Sequence, residues 1–173
     1  MRLSPASLSL LGALATSVKA QDGPVPYEVQ TPPLDTDWTY EVGTDPWPEY
    51  PRPQLRRKAW KSLNGLWTWS GATSNDDIDS PPSGELEREV LVPSCIESGL
   101  SGLQELNTTH MWFRTTFEIP EDWDQTTLLN FEAVDYEATV WVNGEEVGKN
   151  IGGYHRFTID VTDAIDASGK NEL

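Results

Sequence analysis

Beyond Trp60 the chain alternates between short runs of Val, Ile, Phe, Trp and Thr and clusters of Gly, Asn, Asp, Ser and Pro, a pattern that predicts an all-β sandwich. From Met111 to Ile119, the residues Met111, Phe113, Thr115, Phe117 and Ile119 share one face of an extended strand, and Trp112, Arg114, Thr116 and Glu118 share the other. That strand reads as half-buried. Thr127 to Val134 places Leu129, Phe131 and Ala133 on one face, and Tyr136 to Val142 does the same for Tyr136, Ala138, Val140 and Val142. Asn143-Gly144 then closes a tight hairpin, because both central residues of a type I′ turn take positive φ. Further strands are predicted around Leu66–Ser70, Glu87–Val92, Glu146–Asn150 and Arg156–Thr162, with a loop over Asp76–Gly84. Helix signals are weak throughout, and roughly eight short strands predict a jelly-roll β-sandwich.

The segments before this pattern differ from it. Residues 1–20 read as a secretory signal peptide, with Arg2 as the positive start, Leu8 to Ala15 as the apolar run and Val18-Lys19-Ala20 as the small-residue site. The run is too short to span a bilayer, so the expectation is a secreted, extracellular chain. Residues 21–58 form a Pro-rich extended leader in which Pro24, Pro26, Pro32, Pro33, Pro46, Pro48, Pro51 and Pro53 break any regular ladder. Trp38, Tyr40, Trp47 and Tyr50 lie within it, which predicts a leader laid against the domain with its aromatics docked. The jelly-roll domain itself is assigned to residues 59–173.

Composition narrows the chemistry. With 12 basic and 28 acidic residues the net charge is −16, which repels nucleic acid and anionic membranes. Cys95 is the only cysteine, so no internal disulfide forms, and a buried inert thiol is expected. Neither His110 nor His155 has metal-ligand spacing with it or forms a Cys/His nucleophile pair, so no metal and no cofactor are expected. Asn107-Thr108-Thr109 is an N-glycosylation sequon, fitting a surface loop of an exported protein.

An ordered series of motifs then carries a resemblance. It comprises Trp60-Lys61-Ser62-Leu63-Asn64-Gly65-Leu66-Trp67, Val92-Pro93-Ser94, Ile96-Glu97-Ser98, Leu100-Ser101-Gly102 and Trp112-Phe113-Arg114. It continues through Phe131 to Tyr136, Val140-Trp141-Val142-Asn143-Gly144, Gly152-Gly153-Tyr154, Phe157 and Asp160-Val161-Thr162. Over roughly residues 45–173 this series resembles the N-terminal sugar-binding domain of family 2 glycoside hydrolases, on the β-galactosidase and β-glucuronidase side.

The resemblance implies a galactose-binding-domain-like jelly roll, followed in relatives by an immunoglobulin-like domain and a TIM barrel. It also implies a C-terminal strand left incomplete at Leu173, with the isolated domain marginal in stability and sticky at its edge. In such enzymes the barrel supplies two glutamates about 5 to 5.5 Å apart for retaining hydrolysis. No acidic residue here matches them, and Glu85, Glu87, Glu89 and Glu97 fit strand alternation and solvent exposure, so no catalytic residue is assigned.

In relatives the loop after Val-Pro-Ser approaches the barrel mouth, so Ser94 and Glu97 are candidates for substrate or interdomain contact, beside a loop-structuring role. For Arg114 and Trp141, docking on another domain stands beside simple surface packing. β-Galactosidases often carry Asn where this chain has Cys95, and the family frequently shows Asp and Pro after Gly-Gly-Tyr where His155 and Arg156 follow here. Of the eight tryptophans, Trp60, Trp67 and Trp112 sit in framework motifs and are expected in the core. The function implied is the sugar-binding portion of a secreted glycosidase acting on a β-linked glycoside or oligosaccharide. The alternatives are a standalone secreted carbohydrate-binding module and an interaction domain without sugar affinity.

Overall fold

The computed structural model describes residues 23–72, 78–123 and 126–173. The expected signal segment 1–20 and the start of the 76–84 loop lie outside these residues. Nine strands occur among the described residues: β1 Gly65–Gly71, β2 Arg88–Val92, β3 Met111–Arg114, β4 Thr116–Glu118, β5 Leu128–Phe131, β6 Glu137–Val142, β7 Glu145–Ile151, β8 Phe157–Asp160 and β9 Lys170–Glu172. All named pairings are antiparallel: a three-stranded sheet in the order β2-β1-β3, and the pairs β4-β9, β5-β8 and β6-β7. The all-β sandwich expectation therefore holds, with a C-terminal strand only three residues long.

Alternation explains the first half of the core. Trp67 and Trp69 fall on one face of β1, where Trp67 pairs with Val90 and Trp69 with Phe113. Trp69 is buried with Val90, Ile96 and Leu103, and Trp67, Val92, Met111 and Phe113 pack around them. Of the tryptophans expected in the core, Trp60, Trp67 and Trp112 are only half-buried; Trp69 is the one that is 5% exposed. A second cluster gathers Leu129, Val140, Val142 and Val161, flanked by Phe131 and Phe157, whose rings stack at 4.7 Å. Asn143 and Gly144 take φ of 52° and 82°, which gives the two-residue turn that sets Val142 opposite Glu145.

Two further expectations require correction. The run Met111–Ile119 is not one strand. Arg114 pairs with Thr68 on β1, whereas Thr115 exchanges backbone bonds of 2.8 and 2.9 Å with Leu173 and leads into β4. A period of two fixes faces, not neighbours, so the pattern conceals a strand that changes partners.

The leader does dock, but of the four aromatics expected to do so only Tyr50 packs against the domain. Trp38, Tyr40 and Trp47 are exposed, and the Tyr40 hydroxyl is occupied locally by Asp35 at 2.8 Å. Docking runs through Val25, which bonds Glu87 and Glu89 along the edge of β2, and through Tyr27, whose hydroxyl donates to the Leu100 carbonyl at 2.8 Å. Gly102, at φ +83°, permits that contact, since a Cβ there would stand 2.6 Å from the Tyr27 ring. Further along, Pro46 is fully buried and Tyr50 meets Trp60 edge-on at 4.8 Å.

Candidate functional site

Between the two core clusters lies a concavity of about 1970 Å³. Its walls come from distant parts of the chain: the leader around Trp47, Tyr50 and Trp60, the loop after β2, and faces of β3 and β6. Ser94, Glu97, Arg114 and Trp141, the four candidates for substrate or interdomain contact, all line it. Asn107 does not, and sits exposed in the loop before β3.

Each of the four already has work within the chain. The Ser94 hydroxyl donates to the Leu91 carbonyl, turning the chain sharply after β2. The Ser98 hydroxyl donates to the Cys95 carbonyl at 2.6 Å and closes the same loop. The Cys95 thiol donates to Glu97 Oε2 at 2.6 Å. This bond holds the Glu97 carboxyl below its ordinary range, and with partial desolvation and the carboxylate's charge it pushes the thiol above its own. Cys95 is exposed, which corrects the expectation of a buried thiol: the loop turns its side chain outward to the neighbouring carboxylate.

Arg114 reaches across the strands. Its guanidinium donates to the carbonyls of Pro82 and, at 2.8 Å, Gly84, and its Nε lies 3.5 Å from Glu172 on β9. One side chain thus ties the end of the 76–84 loop and the C-terminal strand to β3. The Trp141 ring packs on Trp112 at 5.1 Å and 51°, joining β6 to β3 beside the concavity.

Elsewhere, His155 Nε2 and Asn150 Oδ1 are 3.0 Å apart, and His110 Nδ1 is 3.1 Å from Thr109 Oγ1. Among the described residues no group of three or more His, Cys, Asp or Glu is placed to hold a metal ion. No described helix is long and apolar enough to cross a membrane.

The leader wall was not foreseen as part of the site. Arg56, Arg57 and Lys61 line the concavity beside Trp47 and Tyr50. The signal lay in the clustering of basic residues over 52–61, which the strongly negative total conceals.

Comparison with known proteins follows the same outline. The model of the family described as "Glycosyl hydrolase 2 galactose-binding domain-like" matches residues 86–173. A putative beta-glucuronidase of Formosa agariphila is 31% identical over 114 residues, which cover 66% of this chain and 11% of that protein. A mannosylglycoprotein endo-beta-mannosidase of Lilium longiflorum is 39% identical over 62 residues, 36% of this chain and 6% of that protein. Among solved structures, the beta-glucuronidase of an uncultured Clostridium sp. superposes with a TM-score of 0.53 at 25% identity, over 69% of this chain and 22% of that one. The Ruminococcus gnavus beta-glucuronidase reaches a TM-score of 0.54 at 19% identity, over 68% and 21%, and so shares the fold. The chain thus spans about a tenth of the length of the Formosa relative.

Proposed function

The chain belongs to the glycosyl hydrolase 2 galactose-binding domain-like family, and from that premise we propose that it serves as the non-catalytic sandwich of a secreted glycosidase acting on β-linked glucuronides or galactosides. In this reading it braces a catalytic barrel and contributes the concavity wall formed by Ser94, Glu97, Arg114 and Trp141 to a shared carbohydrate-facing surface. The observation that carries the reading is the family match over residues 86–173, within which all four of these residues fall.

No described carboxylate displaced from its ordinary value shows the raised pKa of a proton donor. Retaining hydrolysis needs one carboxyl raised so that it keeps a proton to donate. The described carboxylates displaced from their ordinary values all move the other way: Glu97 through the Cys95 thiol, Asp160 through the Thr162 hydroxyl and Asp166 through the Ser168 backbone N–H. Each is held ionised by a partner two residues away in the chain.

The test is hydrolysis of p-nitrophenyl β-glucuronide and β-galactoside by residues 1–173 and by a gene product read through Leu173. Cleavage by the longer product alone supports the proposal. Cleavage by residues 1–173, or none by the longer product on either glycoside, refutes it.

A further inference from the structure

Residues 52–61 carry five of the chain's 12 basic side chains, Arg52, Arg56, Arg57, Lys58 and Lys61, and no acid, in a protein of net charge −16. The two ends of this segment are fastened. Arg52 meets both carboxylate oxygens of Glu132 at 3.0 Å, and Lys61 Nζ donates to the Glu118 carbonyl at 2.9 Å. The middle is not. Among the described residues Arg56, Arg57 and Lys58 form no ion pair or hydrogen bond, although the chain holds 28 carboxylates. A run of like charges ordinarily repels itself and stays solvated; this one is an arch held to the domain at both ends.

The arch borders aromatic surface. Trp47, Tyr50, Trp60, Arg56 and Arg57 line the same concavity. Trp47 is 57% exposed and takes a left-handed backbone, φ 48°, a conformation that a bulky residue adopts only when its surroundings impose it. Guanidinium groups grip carboxylates through paired N–H donors, and aromatic rings pack against the apolar faces of sugars.

We propose that the 52–61 arch, with the neighbouring Trp47, binds an acidic oligosaccharide, with uronate carboxylates on Arg56 and Arg57 and a sugar face against Trp47. The inference rests on the carbohydrate-facing role proposed above, but the arch lies outside the matched residues 86–173. The overall charge selects among anions. Nucleic acid, with a charge about every 1.7 Å of duplex, meets the repulsion of the whole acidic surface. A uronate chain spaces its carboxylates a sugar ring apart, so a few local cations suffice.

The test titrates the 173-residue chain with tetragalacturonate, neutral galactotetraose and poly-glutamate, followed by calorimetry and tryptophan fluorescence. Tetragalacturonate is expected to bind at least about tenfold tighter than either control and to weaken with salt. Arg56→Glu/Arg57→Glu should weaken it by about tenfold or more with an unmoved unfolding midpoint, since neither side chain holds a structural bond among the described residues. Trp47→Ala should weaken it while preserving the salt dependence. No binding of tetragalacturonate, equal binding of the neutral sugar or of poly-glutamate, or an unaffected double variant would overturn the proposal. These outcomes are independent of the hydrolysis assay, so failure of one reading is distinguishable from failure of the other.

Discussion

Asn143, in the turn between β6 and β7, donates from Nδ2 to Oδ1 of Asn171 on β9 at 2.8 Å. Asn171 is fully buried, and its oxygen also accepts the Asp166 backbone N–H at 2.6 Å while its amide donates to the carbonyls of Asp166 and Gly169. Asn143 in turn donates to the Ala164 carbonyl and accepts from the Glu172 N–H, both at 2.9 Å. Two amides therefore lock the hairpin turn to the last strand, with the polar capacity of the buried one satisfied.

Asn171→Ala is expected to destabilise the chain by about 1–3 kcal/mol, because it leaves the Asp166 N–H and one Asn143 donor, both part-buried, without their partner. Equilibrium urea unfolding followed by tryptophan fluorescence checks this. An unmoved midpoint would show that β9 is held by other contacts.

Arg114→Ala should free the Pro82–Gly84 segment and loosen β9, with a loss of about 1–3 kcal/mol for the charged hydrogen bonds removed. Hydrogen exchange should rise at residues 82–86 and 170–173 together. Arg114→Lys restores the charge but not the fork of donors, so it should recover only part of the protection. Exchange confined to β3 would contradict the bridging role.

The Cys95–Glu97 pair sets two opposite pH dependences. Glu97 is lowered in the fold, so its contribution is present above its unfolded pKa and disappears as pH falls through the folded value. Cys95 is raised from 9.0, so its contribution is present below the unfolded pKa and disappears as pH rises through the folded value. At pH 8 the thiol should react with iodoacetamide more slowly than an unperturbed cysteine. Glu97→Gln removes the carboxylate that suppresses the thiolate, so alkylation should accelerate; an unchanged rate would mean the thiol is governed by something else.

Tyr27→Phe should cost about 0.5–1.5 kcal/mol through loss of the bond to Leu100. The clearer readout is limited proteolysis. Cleavage between Gly23 and Gln30 should quicken, because Tyr27 on Gly102 anchors this part of the leader. Equal cleavage rates would assign the anchoring to the Val25 backbone bonds instead.

Much of this fold was legible before any coordinates. Alternation puts Leu129, Phe131, Val140 and Val142 on the inward faces, though it also puts Ala133 and Tyr136 there, which lie beyond the ends of β5 and β6 and are exposed; Asn143-Gly144 reads as a turn from its positive-φ chemistry. Less of the site was. Ser94 and Glu97 bond Leu91 and Cys95 within one turn, as the loop-structuring reading expects, whereas the partners of Arg114 and Trp141, Gly84 and Trp112, lie far off in the chain and beyond any local pattern. Trp38 and Trp47 read as docked aromatics because hydrophobicity carries no information about which surface is available to cover it.

The amino-acid sequence determined what backbone sterics and side-chain alternation decide locally: short strands, a two-residue turn and a leader interrupted by proline. Tertiary structure decided what depends on residues far apart in the chain. It made Thr115 the point where one run passes from β1 to β9, turned Cys95 outward, and pinned Arg52 and Lys61 while leaving Arg56 and Arg57 without a partner among the described residues. The division follows from range: torsional preference acts within a few residues, whereas burial and hydrogen-bond pairing exist only once distant segments have met.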